Sequence, residues 1–169
     1  MHFRQQHMKH HSLIRALHWV MALLFLTIIV AVEVQFQDRK LAMLIHKSLG
    51  LLTLGLVATR LLTRALTKSP APTGGALNQK LAQAGHIVLY VLMVAVPLTM
   101  VIGGLNGRGL EFFMWHIDTL WVNKPLAKSL LDAHRLLANI LLYTALGHAA
   151  VALWHHFVMK DGTLKKMLP

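Results

Sequence analysis

The sequence contains no cysteine among its 169 residues. Within this chain, the absence excludes disulfide bonds, iron–sulfur clusters held by thiolates and the C-x-x-C-H attachment of c-type haem. Histidine, methionine and carboxylate side chains remain as candidate metal ligands. Any metal centre in the protein must therefore be built from these residue types.

Charged residues are also scarce, at 14% of the sequence, whereas 56% of the residues are hydrophobic and the mean hydropathy is +0.55. This composition is too apolar for an ordinary water-soluble domain and indicates that the protein lies in a lipid bilayer. Acidic residues are the rarest charged class, since 6 Asp and Glu accompany 17 Lys and Arg and the formal net charge is +11. No nucleic-acid-binding motif accompanies this charge, so we predict basic loops that face anionic lipid and no nucleic-acid partner.

Four apolar runs are long enough to cross a bilayer as helices, which takes about 20 residues each. They cover residues 13–34, 41–62, 81–103 and 130–157. A turn-rich connector at residues 68–75 cannot continue a helix, and Pro97 predicts a kink inside the third run. The loop at residues 104–129 contains Phe and Trp side chains, which is typical of a segment at the membrane interface.

These runs predict an all-α fold, an integral membrane four-helix bundle, with one domain at residues 13–169 after a basic, histidine-rich tail at residues 1–12. An even number of spans places both termini on one side of the membrane. That side carries ten Lys and Arg and the opposite side seven. Because cytoplasmic loops are enriched in Lys and Arg, we predict that both termini are cytoplasmic.

Four of the twelve histidines, placed at matching depths in the predicted spans, are candidate metal ligands: His18, His46, His134 and His148. An ionisable group inside a membrane helix indicates a functional site. His134 and His148 are fourteen residues apart on one predicted helix, so they share a face at two depths about 21 Å apart. By depth, His46 pairs with His134 at the outer end and His18 with His148 at the inner end. This arrangement suits two stacked haems, each with two axial histidines.

A small residue follows each of the four histidines by one helical turn. These residues are Ala22, Gly50, Ala138 and Ala152. Small side chains at these positions leave room for a flat macrocycle lying against the helix. The alternative for any one of these histidines is a hydrogen bond between helices.

The other histidines are not followed by a small residue at this spacing. His86 is followed at the same spacing by Tyr90, and His116, His155 and His156 are followed by Leu, Met and Lys. We predict that His2, His7, His10 and His11 belong to a solvated tail.

Three cations accompany the candidate ligands. Arg60 follows His46 by fourteen residues, so it should lie near the inner site, where it can pair with a haem propionate. Lys47 and Arg135 directly follow His46 and His134, and they can bind a propionate or steer an anion towards the outer site. The alternative for each cation is contact with lipid phosphates.

Short motifs spread along the chain resemble those of the bacterial cytochrome b561 family. They are His18-Trp19, Ile45-His46, the segment Gly85 to Tyr90, His134-x3-Ala138-Asn139, His148-Ala-Ala, His155-His156 and the ending Lys160 to Pro169. The likeness covers nearly the whole chain after the N-terminal tail. Its ordered set of histidines is more specific than any single motif.

The resemblance implies a multi-pass protein of the bacterial inner membrane with two haems b. By motif position, the axial ligands of the inner haem are His18 and His148, and those of the outer haem are His46 and His134. One member type is a superoxide oxidase, which takes electrons from superoxide at the periplasmic side and reduces ubiquinone. In such proteins the position of His155 is a candidate quinone neighbour.

We therefore predict electron transfer across the membrane through two bis-histidine haems, from superoxide to ubiquinone. The alternative is a cytochrome b subunit that serves a partner dehydrogenase or hydrogenase. A third alternative, in a different class, is a membrane scaffold or transporter whose histidines are structural.

Overall fold

A computed structural model of the protein describes residues 10–33, 38–67 and 75–168. Four long helices make up most of it: α1 (Ser12–Glu33), α2 (Arg39–Leu66), α3 (Ala76–Leu105) and α4 (Lys124–Trp154). Each helix is long and apolar enough to cross a membrane. The predicted all-α membrane bundle is thus confirmed. His2, His7 and most of the predicted connector lie outside the described residues.

Polar caps determine where two of the helices begin. The Asp38 carboxylate accepts hydrogen bonds from the backbone N–H groups of Lys40 and Leu41, at 2.9 and 3.2 Å, at the start of α2. The Asn123 side chain accepts one from the N–H of Leu126 at 3.1 Å, and a proline occupies the first turn of α4. Capping and a first-turn proline favour a helix start without any apolar run. The prediction that α4 starts at residue 130 was therefore wrong by about two turns.

A β-hairpin occupies part of the predicted interfacial loop, and the sequence analysis did not foresee it. Strand β1 (Leu110–Phe112) pairs antiparallel with strand β2 (Trp115–Ile117). The rings of Phe112 and Trp115 stack across the pair, with centres 5.9 Å apart and planes at 10°. Phe113, in the turn, has a φ of 51° in the left-handed region. The hairpin lies at the end of the bundle where α2 and α4 begin, which we call the outer end.

The helices form two layers. Helix α1 packs on α2 and α3 packs on α4, while α2 also contacts α3. Within the described residues, α4 packs extensively on one other long helix, α3. Helices α1 and α2 lie further from α4. A small apolar cluster of Leu92, Val96 and Leu141, with Phe25 against it, fills the middle of the bundle. Leu141 is seven residues from both His134 and His148, so this cluster lies between the two depths.

The chain end folds back against α1. After α4 come a π-helical turn (His155–Met159) and a 3-10 turn (Leu164–Lys166). The backbone carbonyls of Lys166, Met167 and Leu168 accept hydrogen bonds from the His10 N–H, the Trp19 Nε1 and the Arg15 Nη1, at 3.2, 2.9 and 2.6 Å. The first and last described residues therefore lie at the same end of the bundle, which we call the inner end.

The prediction that His10 belongs to a solvated tail was wrong. Its side chain is half-buried against the chain end. Burial lowers the pKa of His10, and the positive charges of Arg64, Arg60 and Lys166 lower it further. The last part of the tail is therefore a packed part of the inner end.

Candidate functional site

The outer site is formed by α2 and α4. The rings of His46 and His134 face each other with centres 6.0 Å apart and planes at 85°. The Nδ1 of His134 lies 3.0 Å from the carbonyl oxygen of Val96. A carbonyl can only accept, so Nδ1 carries the proton and the Nε2 lone pair is left for a metal.

The inner site is formed by α1 and α4. The rings of His18 and His148 have centres 6.3 Å apart and planes at 82°. Both histidines are partly buried. The structure thus brings together the two pairs that their depths predict, and ligation of iron by these four side chains stays a prediction.

The spacing of both pairs fits an iron held between two imidazoles. With a metal–nitrogen bond of about 2 Å on each side, as for imidazole on zinc, the ring centres should be roughly 6 Å apart. Helices α1 and α2 make few close backbone contacts with α4, so the rings of each pair meet across the boundary between the two layers. The pairs therefore have the ring separation that a bis-histidine haem needs.

The helix surfaces beside the pairs also leave room for a flat group. A side-chain carbon added at Gly50, one turn after His46, would meet nothing within 4 Å, although this glycine is partly buried. Helix α4 carries one histidine of each pair, yet the residue of this helix that is buried is Leu141. Protein atoms thus cover little of α4 and leave open space at Gly50, which suits a flat group lying against these helices.

A third histidine lies beside the inner pair. The ring centre of His86, on α3, is 5.5 Å from that of His148. The sequence analysis set His86 aside because Tyr90 follows it by one turn, but that criterion concerns only room on the same helix. The packing of α3 on α4 brings His86 to the inner site. The sequence did contain one signal for this placement, because the depth of His86 in its predicted span matches that of the inner site.

Arg60 is a buried cation at the inner site. It is 8% exposed, and its guanidinium donates to the Tyr90 hydroxyl at 3.1 Å and to the carbonyl of Ile14 at 3.4 Å. It lies within electrostatic range of His18 and His148. No ion pair of Arg60 occurs in the part of the chain that the structure describes. A buried charge is costly unless an anion compensates it, so this position suits the propionate role that the sequence predicts.

The two cations predicted at the outer site have carboxylate partners. Lys47 Nζ lies 2.6 Å from an oxygen of Glu111, and this hydrogen bond lowers the pKa of the Glu111 carboxyl. Arg135 lies 3.5 Å from Asp132 on the same helix. Both cations are exposed. Their carboxylate partners offset part of the charge available to a propionate or an incoming anion, and their roles stay predictions.

The hairpin rests on the outer part of α2, the helix that carries His46. The hydroxyl of Ser48, two residues further along α2, is fully buried and accepts a hydrogen bond from the Phe113 N–H at 2.7 Å. Together with the bridge between Lys47 and Glu111, this bond holds the hairpin against the outer part of α2.

His155 forms a close pair with Asp161 at the inner end. Its Nδ1 lies 2.5 Å from one carboxylate oxygen, and the Thr163 N–H donates to the other at 2.9 Å. Burial alone would raise the pKa of Asp161, but the hydrogen bonds from Thr163 and His155 outweigh it and lower the pKa to about 2. His155 starts the π-helical turn, a local geometry that is frequent at functional sites.

Four membrane-spanning helices that present facing histidines across a gap define an integral membrane protein of the b-type cytochrome class. Comparison with known proteins makes the assignment specific. Residues 9–169 match the family described as prokaryotic cytochrome b561, and the chain belongs to that family. Its predicted membership is thus confirmed.

Curated relatives show the same likeness. The chain is 32% identical to the probable superoxide oxidase CybB of Yersinia pestis, over 96% of this chain and 97% of that protein. It is 29% identical to cytochrome b561 homolog 1 of Escherichia coli K12, over 73% of each chain. For homolog 2 of the same organism the identity is 30%, over 73% of this chain and 69% of the relative. The chain is thus a b-type cytochrome for transmembrane electron transfer, with oxidoreductase chemistry and a multi-pass membrane location.

Proposed function

We propose that the protein carries electrons across the inner membrane through two haems b, one held by His46 and His134 and the other by His18 and His148. The observation that supports this proposal is the separation of the two ring pairs, 6.0 and 6.3 Å. When bound, the haems supply one-electron transfer chemistry, and the protein determines their ligands, orientation and surroundings.

The paired histidines select electron transfer over oxygen chemistry. With two imidazoles holding each haem iron, a small molecule would find no free position at the metal, and the group would supply electron transfer. The carbonyl of Val96 fixes the His134 ring through its Nδ1 proton. Such a contact behind a metal ligand orients the ring and increases the basicity of the coordinating nitrogen.

Arg60 compensates negative charge at the inner site. Its guanidinium is held in place by the Tyr90 hydroxyl and the Ile14 carbonyl, and it still has donors available. A propionate is an anion of the geometry that guanidinium groups bind in a bidentate manner. We propose that Arg60 binds a propionate of the inner haem.

We propose superoxide as the electron donor at the outer, periplasmic side and ubiquinone as the acceptor near the cytoplasmic inner end. Superoxide is supported by the likeness to a probable superoxide oxidase over nearly the full chain. The cytoplasmic placement of both termini is supported by their common position at one end of the bundle and by the Lys and Arg bias. Lys47 and Arg135 contribute local positive charge at the outer end, partly offset by their carboxylate partners.

His155 is the proposed quinone neighbour. A carboxylate only accepts hydrogen bonds, so the contact with Asp161 places a proton on Nδ1 of His155. The Nε2 atom is then the one available to a quinone oxygen. In its doubly protonated form the ring also carries a hydrogen on Nε2, which it would donate to the quinone oxygen that gains negative charge on reduction.

Two measurements on the purified protein test this proposal. A pyridine haemochrome assay should give two haems b per chain, and one haem or none would contradict the pairing. Quinone reduction should be faster in a superoxide flux than without it. An equal rate in both conditions, with full haem content, rejects superoxide as the donor and favours a subunit that serves a partner dehydrogenase or hydrogenase.

A further inference from the structure

An open groove of about 860 Å³ lies at the outer end, between the hairpin and the first turns of α2. The bonds from Lys47 to Glu111 and from Phe113 to Ser48 hold the hairpin at one side of it. The other side is the surface of α2 near its beginning. The size of the groove is in the range of pockets that bind small molecules.

The lining of the groove is divided by chemistry. Arg39 and Lys40, at the start of α2, are its basic end. Met43 and Leu44 continue along α2 as an apolar wall, and Trp115 faces them from the hairpin side. Trp115 is 63% exposed. A basic end joined to an apolar wall fits a ligand with an anionic head and an apolar body.

The positive charge at the basic end is not compensated by an ion pair. Lys47 is paired with Glu111, whereas Arg39 and Lys40 form no salt bridge within residues 10–33, 38–67 and 75–168. The nearby Asp38 uses one carboxylate oxygen to cap α2. Arg39 and Lys40 therefore leave two cationic side chains that an external anion can bind.

The depth of the groove indicates which anion is available. Arg39 is the first residue of a helix long enough to cross the whole membrane, so we expect it at the level of the lipid headgroups. Lipid phosphates lie at this level, beside the acyl chains that an apolar wall can contact. Lys, Arg and Trp are the residues that anchor proteins in this zone.

We propose that this groove is a binding site for one anionic phospholipid. Its phosphate lies between Arg39 and Lys40, and its glycerol and upper acyl chains lie along Met43, Leu44 and Trp115. A free anion would use only the basic end and leave the apolar wall exposed. The proposal is independent of the electron donor and acceptor.

Lipid binding to the full chain with its haems tests the site. Phosphatidylglycerol or phosphatidylcholine with identical acyl chains is titrated into the detergent-solubilised protein, and bound lipid is measured by native mass spectrometry. We expect one phosphatidylglycerol to bind more tightly than phosphatidylcholine. The double variant Arg39→Gln/Lys40→Gln should lose about 25-fold in this affinity, because each interfacial cation contributes about fivefold.

The matched control is Lys124→Gln/Lys128→Gln, which removes two cations at the same end of the bundle but outside the groove. It should keep the affinity for phosphatidylglycerol, while Met43→Ser should lower it. Equal affinities for the two lipids, or an equal loss in both double variants, would overturn the proposal. Displacement of phosphatidylglycerol by an equal concentration of inorganic phosphate would also overturn it, because the groove would then bind the anion alone. The haem absorbance of each variant serves as the check on folding.

Discussion

At the scale of single residues, the geometry separates the histidines into different environments. His46 and His134 face each other across a gap, and so do His18 and His148. His86 instead lies beside His148, on the helix that packs against α4. Because α3 packs directly on α4, we expect His86 to lie beside the inner haem and His18 to be the ligand opposite His148.

This distinction predicts the haem content of variants. His134→Ala should lose the outer haem and retain one haem b per chain, because the inner pair is intact. The control His86→Ala should retain two. Pyridine haemochrome and the absorbance spectrum measure both contents. Loss of a haem in the His86 variant alone would show that the inner ligands are assigned incorrectly.

Arg60 should affect the reduction potential of the inner haem. A buried positive charge favours the reduced form, so Arg60→Gln should lower the midpoint potential by about 50 mV, which corresponds to roughly 1 kcal/mol for one electron. Arg60→Lys keeps the charge and should shift it less. Potentiometric titration of the two haems measures the change. If the midpoint potential of the inner haem is unchanged in Arg60→Gln, Arg60 does not act on that haem.

At the scale of elements, the end of α4 shows how local structure positions a side chain. The helix passes into a π-helical turn, Lys160 adopts a left-handed φ of 52°, and the chain reverses so that Asp161 reaches back to His155. A bulky residue in the left-handed region costs energy that the surrounding contacts must offset. The pair between Asp161 and His155 is one of these contacts.

The stability of this turn should depend on acid pH. The pKa of Asp161 in the folded protein, about 2, is below its ordinary value of 3.8, so its ionised form stabilises the fold above pH 4. This contribution is lost as the pH falls towards 2. Between pH 4 and 2, the unfolding temperature of the native protein should therefore fall more than that of Asp161→Asn. Thermal unfolding followed by circular dichroism measures both.

Asp118→Asn is the control for this experiment, because Asp118 is 97% exposed and lies in the loop after the hairpin. Its pH dependence should follow that of the native protein. An Asp161→Asn protein with the same acid sensitivity as the native one would show that the pair does not stabilise the fold.

At the scale of the whole molecule, two layers of helices meet around the candidate haem sites. The apolar cluster of Leu92, Val96 and Leu141 joins the layers midway, and contacts of the chain end with α1 join them at the inner end. The ring centres of the two candidate ligand pairs are 6.0 and 6.3 Å apart. A ligand that binds only the folded state stabilises that state.

The protein produced without haem should therefore be less stable than the protein with haem. Its helical content should change little, because backbone groups in lipid must remain hydrogen-bonded within helices. Its unfolding temperature should fall, and the loops between the layers should become more sensitive to protease. Equal unfolding temperatures with and without haem would mean that the protein alone holds the layers together.

Much of this architecture followed from local properties of the chain. Apolar run lengths predicted the four spans, and the fourteen-residue interval on α4 predicted two depths on one face. The facing of His46 with His134 and of His18 with His148 agrees with these depths. The sequence analysis did not predict the hairpin or the position of His86, because each depends on contacts between distant segments. It also missed the early start of α4, although the Asn123 cap and the first-turn proline are local signals.

The sequence by itself determined the membrane location, the number of spans and the depth of each histidine, because hydropathy and helical rise are properties of consecutive residues. Tertiary structure alone decided which cations are compensated and that His86 lies beside His148. Lys47 is paired because the hairpin brings Glu111 to it, whereas Arg60 is buried against Tyr90 of another helix. These outcomes depend on how the helices are rotated and packed, and that information is spread over residues far apart in the chain.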